Sequence, residues 1–107
     1  MKLSILIVNW NTRDILIKCI NSILKNAPGF DYEIIVVDNN SQDGSVGVLT
    51  NLLGHNKKIW ILQSLKNLGF ARANNYAFRN SIGEYILALN PDTEVYPQAL
   101  EALVSYM

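Results

Sequence analysis

Three short polar clusters punctuate a largely apolar chain: Asn9-Trp10-Asn11, Asp38 through Ser45, and Asn90-Pro91-Asp92. Each follows directly on a run of strand-forming residues, and the third says most. The run Tyr85–Leu89 meets Pro91, which fixes φ and offers no N–H to a sheet, so the strand must stop and Asp92 must emerge beyond its carboxyl end. Open α/β sheets bind ligands in the crevice outside those ends. A carboxylate there is placed to hold a divalent cation that carries substrate phosphates. Asp92 also lies too far upstream of Pro97 to cap the helix expected from that proline. With parallel strands, all three clusters leave one edge of the sheet, where Asp38 and Asp92 converge with amide side chains and an indole. Polar groups near strand ends must be satisfied or solvated, so a merely structural protein has little reason to gather them.

Other loops that hold phosphate are missing. A dinucleotide site would need Gly-x-Gly-x-x-Gly after the first strand, and that loop reads Asn9-Trp10-Asn11-Thr12-Arg13-Asp14, without a glycine. There is no P-loop and no nucleophile elbow. Phosphate would then be neutralised by a metal on Asp92, with Arg72 assisting. A receiver-like signalling domain is a poor fit, because it expects an acidic pair near the end of the first strand, where Asn9 and Asn11 stand.

The elements that must position these groups follow from periodicity. Residues 3–8 and 32–37 are continuous β-branched and leucine runs, as in strands buried on both faces. Ile59–Gln63 reads as a short third strand and Tyr85–Leu89 as a fourth. Ile15, Leu16, Cys19, Ile20, Ile23 and Leu24 repeat with helical spacing behind a cap at Asn11 or Thr12, and Asn26, Pro28 and Gly29 end that helix. A weaker helix covers residues 46–53, with Asp43 as its expected cap; another covers 69–80, and Pro97 is expected to open the last. Strands alternating with helices predict a doubly wound, mostly parallel α/β sheet of about four strands, helices on both faces, in one domain over residues 1–107. Ala71, Ala73 and Ala77 would let the third helix sit close to the sheet. Cys19 is expected to be inert core, Tyr85 and Tyr96 to pack at the ends of the last strand region, and His55 and the Lys57-Lys58 doublet to be solvated. The fourth strand would lack an outer neighbour, and such an edge invites pairing into a homodimer.

Composition bounds the partners. Half of the 107 residues are hydrophobic and 17% are charged, so a core is expected and disorder is not. Nine basic and nine acidic residues cancel, which predicts no electrostatic footprint for nucleic acid or an anionic membrane. The single cysteine cannot form an internal disulfide, in keeping with a reducing compartment. No run approaches the roughly 18 apolar residues that cross a bilayer, and the first eight residues are too short for a signal peptide. A cytoplasmic protein is expected, held at the inner face of a membrane, if at all, through its acceptor or a partner.

The clusters and their surroundings resemble a family. Residues 4–11 (Ser-Ile-Leu-Ile-Val-Asn-Trp-Asn), 36–45 (Val-Val-Asp-Asn-Asn-Ser-Gln-Asp-Gly-Ser), 67–75 (Asn-Leu-Gly-Phe-Ala-Arg-Ala-Asn-Asn) and 83–92 (Gly-Glu-Tyr-Ile-Leu-Ala-Leu-Asn-Pro-Asp) resemble, in order and spacing, the amino-terminal part of the family 2 glycosyltransferases, which have the GT-A fold. The resemblance implies a nucleotide-sugar-binding half. Trp10 stands where the family sets an aromatic against the base, flanked by Val8 and Asn11. Asp38 stands where its acid hydrogen-bonds base or ribose. Asn67, Gly69 and Arg72 fall in the segment along the donor. Asp92 matches the last aspartate of the family's Asp-x-Asp motif, the ligand of a Mg²⁺ or Mn²⁺ that bridges the diphosphate.

Two departures accompany the match. Asn90 occupies the first motif position, usually aspartate; it can accept a hydrogen bond from ribose but adds no charge. The Asn-Pro-Asp-Thr form resembles a rhamnosyltransferase-like branch, which implies a dTDP-linked donor, where the family resemblance as a whole implies a UDP- or dTDP-linked one. The family's catalytic base and much of its acceptor site lie beyond the metal motif, so this chain is expected to lack the base and to bind donor with little transfer of its own. The intact enzyme would move a hexosyl or rhamnosyl group, with inversion, to a glycan or lipid-linked acceptor in polysaccharide or cell-envelope synthesis. The alternative is a non-catalytic nucleotide-binding or assembly module of the same fold. A full-length gene with a second half would favour the enzyme.

Overall fold

The computed structural model describes residues 2–106. Strands and helices alternate: β1 (Lys2–Asn9), α1 (Arg13–Lys25), β2 (Asp31–Asp38), α2 (Ser45–Leu53), β3 (Ile59–Gln63), α3 (Phe70–Arg79), β4 (Tyr85–Leu89) and α4 (Ala99–Tyr106). All pairings are parallel, in the order β3-β2-β1-β4. The two longest apolar runs thus take the two central places, as strands buried on both faces should. Asn9 sits opposite Asp38 in register, which brings the first two polar clusters together at the carboxyl edge.

Alternation along the strands divides the core in two. Leu3, Ile5, Ile7, Ile34 and Val36 face α1, α2 and α4, with Leu16, Ile20, Ile23 and Leu100 packed against them. Leu6, Ile35 and Val37 face the other way, onto Ala73 and Ala77 of α3. Those two alanines are fully buried and let α3 lie close over β1 and β2, whereas Ala71 is exposed on the outer side of the helix and takes no part in that approach.

The central strands are not apolar throughout. Ser4 and Glu33 are buried on the α3 side, where the Ser4 hydroxyl donates to Glu33 Oε2 at 2.5 Å. Ile82 N donates to the same oxygen at 2.9 Å, and Gly83 N donates to Ser4 Oγ at 2.8 Å. This clamp sets the turn that feeds β4. A Cβ on Gly83 would lie 2.5 Å from Ser4 Oγ and 2.6 Å from Ser4 N, so the close approach requires glycine.

Three local expectations are corrected. Pro97 does not open α4: Tyr96 to Ala99 forms a turn closed by Ala99 N onto Tyr96 O, Gln98 is left-handed at φ 66°, and the helix begins at Ala99. Tyr96 is consequently carried outward and exposed, while Tyr85 packs on the core as expected. Thr12 is the N-cap residue of α1, but its hydroxyl donates to Asn9 Oδ1 at 2.6 Å and leaves the helix uncapped by its own side chain. Asp43 does that work from across the loop. Its Oδ2 accepts from Arg13 N at 3.0 Å, while Oδ1 accepts from Ser45 N at 3.0 Å and from the Ser45 hydroxyl, so one carboxylate serves the starts of both α1 and α2. Cys19 is a buried core thiol, and His55, Lys57 and Lys58 are exposed, as expected.

Candidate functional site

A cavity of about 370 Å³ opens at the carboxyl edge of the sheet, and all four strand-following segments contribute to it. Val8, Trp10 and Thr12 come from the end of β1, Asn39 from the end of β2, and Asn67, Gly69 and Phe70 from the entry to α3. Leu89, Asn90 and Pro91 close it from β4. The polar lining is mostly amide, and the apolar lining includes a half-exposed indole, a combination suited to a flat heteroaromatic ring with hydrogen-bonding edges.

Beneath the cavity lies a buried polar network centred on Asp38, which is 0% exposed. Asp38 Oδ1 accepts from Asn9 Nδ2 at 2.8 Å and from Ser41 Oγ at 2.7 Å; Oδ2 accepts from Ser41 N at 2.9 Å. Asn11, at φ 53°, is tied into the same loop: Ser41 Oγ accepts from Asn11 N at 2.9 Å, and Asn11 Oδ1 accepts from Gln42 N at 2.7 Å. Neither Asp38 nor Asn11 lines the cavity. Asp38 instead holds the β1 and β2 loops in one geometry. The residue that reaches the cavity is its neighbour. Asn39 Oδ1 accepts from Leu68 N at 2.8 Å, and its Nδ2 points toward Gly69 O at 3.4 Å, pinning the segment before α3.

That segment is itself held open. Asn67 Oδ1 accepts from Gly69 N at 2.8 Å, and Gly69 takes φ 80°, ψ 167°, a conformation almost confined to glycine. Arg72, one turn further on, is exposed and borders a separate hollow on α3 with Asn75, Tyr76 and Arg79, away from the cavity.

At the opposite wall, Asn90 to Thr93 forms a turn closed by Thr93 N onto Asn90 O at 3.0 Å. Asp92 is exposed on this turn, one residue past the cavity-lining Pro91. Burial, and then the nearby Asp92 charge, push the Cys19 thiol beneath it up to about 11. No group of three or more His, Cys, Asp or Glu side chains that could hold a metal occurs among the described residues. A lone exposed carboxylate such as Asp92 could contribute one ligand to a cation of the Mg²⁺ type, which keeps its waters and takes one protein carboxylate together with substrate oxygens.

The sequence profile described as Glycosyl transferase family 2 matches residues 4–107. The chain belongs to that family. A poly(ribitol-phosphate) beta-glucosyltransferase of Bacillus spizizenii is 33% identical over 102 residues, 94% of this chain and 16% of the relative. A chondroitin synthase of Pasteurella multocida is 33% identical over 98 residues, 92% of this chain and 10% of that protein. This family 2 domain thus spans about a sixth or less of the length of these relatives. Among solved structures, S. aureus TarS 1-349 in complex with UDP-GlcNAc superposes with a TM-score of 0.86 at 22% identity, over 99% of this chain and 31% of that one. A mannosyltransferase from Pyrobaculum calidifontis, in complex with GDP-Man and Mn²⁺, superposes with a TM-score of 0.89 at 19% identity, over 97% and 31%. At these identities the likeness establishes the GT-A fold.

Thr12, Asn39, Phe70, Leu89 and Pro91 line the cavity without having been assigned to the site by sequence reasoning. For Asn39 a signal existed. Alternation puts Asp38 on the side of Val36, beneath α1 and α2, so the carboxylate should turn into the helix layer and the next residue should face the crevice.

Proposed function

We propose that in the intact protein this family 2 domain binds the nucleoside diphosphate of a sugar donor, with Mg²⁺ or Mn²⁺ at Asp92, for transfer of the sugar to a hydroxyl of a glycan or lipid-linked acceptor. One observation carries the reading: a single cavity receives side chains from the ends of all four parallel strands, with the exposed Asp92 carboxylate beside it. Trp10 offers an aromatic plane to the base, and the amides of Asn39, Asn67 and Asn90 offer edges to base or ribose. The Asp38 network keeps these groups in place before the donor arrives, which spares their ordering cost on binding. When bound, the cation would offset charge developing on the departing diphosphate. Deprotonation of the acceptor would fall to a base beyond the metal motif, in the other half of the GT-A domain, and the family pattern favours inversion. UDP- or dTDP-linked donors, polysaccharide synthesis and a cytoplasmic site are the finer parts of the proposal. No helix among the described residues is long and apolar enough to cross a membrane.

The test is calorimetric titration of UDP, dTDP and GDP with and without Mn²⁺. Metal-dependent binding, lost in Asp92→Ala and weakened about tenfold in Trp10→Ala, is the expected result. A folded protein that binds no nucleoside diphosphate under any of these conditions overturns the donor-site reading for this domain.

A further inference from the structure

The zero net charge of the chain conceals a strong asymmetry. No aspartate or glutamate occurs between Asp43 and Glu84, and five of the nine basic residues fall in that interval: Lys57, Lys58, Lys66, Arg72 and Arg79. Its second half, with Lys66, Arg72 and Arg79, leads into and forms α3 on one side of the sheet, while α2 and Lys58, which lies over the Tyr32 ring, belong to the other. Helices α1, α2 and α4 share the other side, so α3 is the outermost layer here among the described residues. The buried Ala73 and Ala77 face the sheet; on the helical repeat Arg72 and Arg79 stack on one outward line, and Ala71 and Phe78 on the line beside it. Neither guanidinium has a carboxylate partner among the described residues, and a hollow of about 390 Å³ runs between them past Asn75 and Tyr76. Glu33 on this face is buried and bonded to Ser4 and Ile82, and the exposed acids of the same parity, Asp31 and Glu84, lie at the amino ends of β2 and β4.

The same side exposes large apolar groups. Phe78 is 55% exposed and Ile82, whose N–H is tied to Glu33 on this face, is 72% exposed. Trp60 is 56% exposed and pairs in register with Ile35, which fixes it on the α3 face; Leu65, beside Lys66, is 92% exposed. Solvent-facing aromatic and aliphatic groups are costly unless covered, and their interleaving with unpaired cations matches one surface chemistry: anionic headgroups above an apolar interior. A soluble polyanion has no use for the apolar groups. A second copy presenting the same face would set Lys66, Arg72 and Arg79 against their own counterparts.

We infer that the α3 side is a docking surface for an anionic lipid bilayer, with Lys66, Arg72 and Arg79 on headgroup phosphates and Phe78 and Ile82 in the interface. The inference is independent of the donor reading, because it uses no residue of the cavity. Co-sedimentation of the full chain with phosphatidylcholine vesicles, with and without 40% phosphatidylglycerol at low and high salt, tests it. Binding to the anionic vesicles alone is expected, at least tenfold weaker at high salt. Lys66→Glu/Arg79→Glu should lower it at least tenfold and Phe78→Ala several-fold, with circular dichroism unchanged. Equal binding to neutral vesicles, or undiminished binding of the charge-reversal variant, overturns it. So does equal affinity for soluble polyphosphate, which would mark a polyanion site, or concentration-dependent self-association abolished by Phe78→Ala, which would mark a face between copies. Should Lys66→Glu/Arg79→Glu unfold, Lys66→Gln/Arg79→Gln gives the same reading through a reduced salt dependence.

Discussion

Asp38 and Asp92 are both carboxylates at strand ends, yet burial separates their roles. Asp92 stands in solvent beside the cavity, and Asp38 is sealed beneath it with three hydrogen bonds from Asn9 and Ser41. Removing a buried acceptor leaves its donors unpaired, at about 1–3 kcal/mol for the group. Asp38→Ala should therefore lower the unfolding free energy, read from urea titration, by that amount and lose nucleotide affinity through a loosened loop, whereas Asp92→Ala should leave stability within about 0.5 kcal/mol of the parent. Equal stability of the two variants would contradict the division. Asp43 belongs at this scale too. Burial acts to raise its pKa, but hydrogen bonds from the Ser45 side chain and from the backbone of Arg13 and Ser45 outweigh it and hold the carboxyl below its ordinary value. Its stabilisation is thus present above the unfolded value near 3.9 and is lost as pH falls through the lower folded one. In acid titrations followed by circular dichroism, Asp43→Asn should be less stable than the parent at pH 6, by about 1–2 kcal/mol for two helix starts, and the gap should narrow below pH 4.

Element by element, the strands and helices were legible because their periodicities are long and clean. Continuous β-branched runs marked the two central strands, and the Ile15 to Leu24 repeat marked α1. The failures fell where a side chain chooses among competing partners. Thr12 gives its hydroxyl to Asn9, and Pro97 enters a turn whose left-handed Gln98 no local propensity announces. Asn39 was hidden for the same kind of reason, since a carboxylate beside it drew the attention that alternation would have redirected. Two glycines carry predictions at this level. At Gly69 there is open space for a Cβ but φ is 80°, so Gly69→Ala should cost about 1–3 kcal/mol from backbone strain alone, and the displaced α3 entry should weaken nucleotide binding several-fold in the titration. At Gly83 the backbone is ordinary but the space is filled by Ser4, so Gly83→Ala should cost about 1–3 kcal/mol through overpacking, read from chemical denaturation, with little effect on binding by the folded fraction.

For the whole molecule, the fold class was open to reading and so was the acid-free interval from 44 to 83, but which of its charges share a face depended on how α2 and α3 divide between the two sides of the sheet. Among the described residues β4 pairs with β1 alone and β3 with β2 alone, so the sheet has two open edges. We propose that β4, whose own five residues carry no charge, pairs with its counterpart in a second copy. Sedimentation velocity of the 107-residue chain should then show dimer growing with concentration, and replacing Ala88 with proline should restore monomer. A monomer at all concentrations would remove the proposal.

Sheet order also imposes a timetable. β1 leaves a ribosome before its partners and finds β2 quickly, but its other partner is β4, where Leu3 meets Tyr85. Synthesis proceeds at about 5–20 residues per second, so an edge of the strand destined for the centre stays open for on the order of several seconds. During that interval Leu6 and Ile7 have one neighbour, and α3, which must cover the same strand, is still being made. The domain's demand on chaperones is accordingly set by the arrival of its fourth strand.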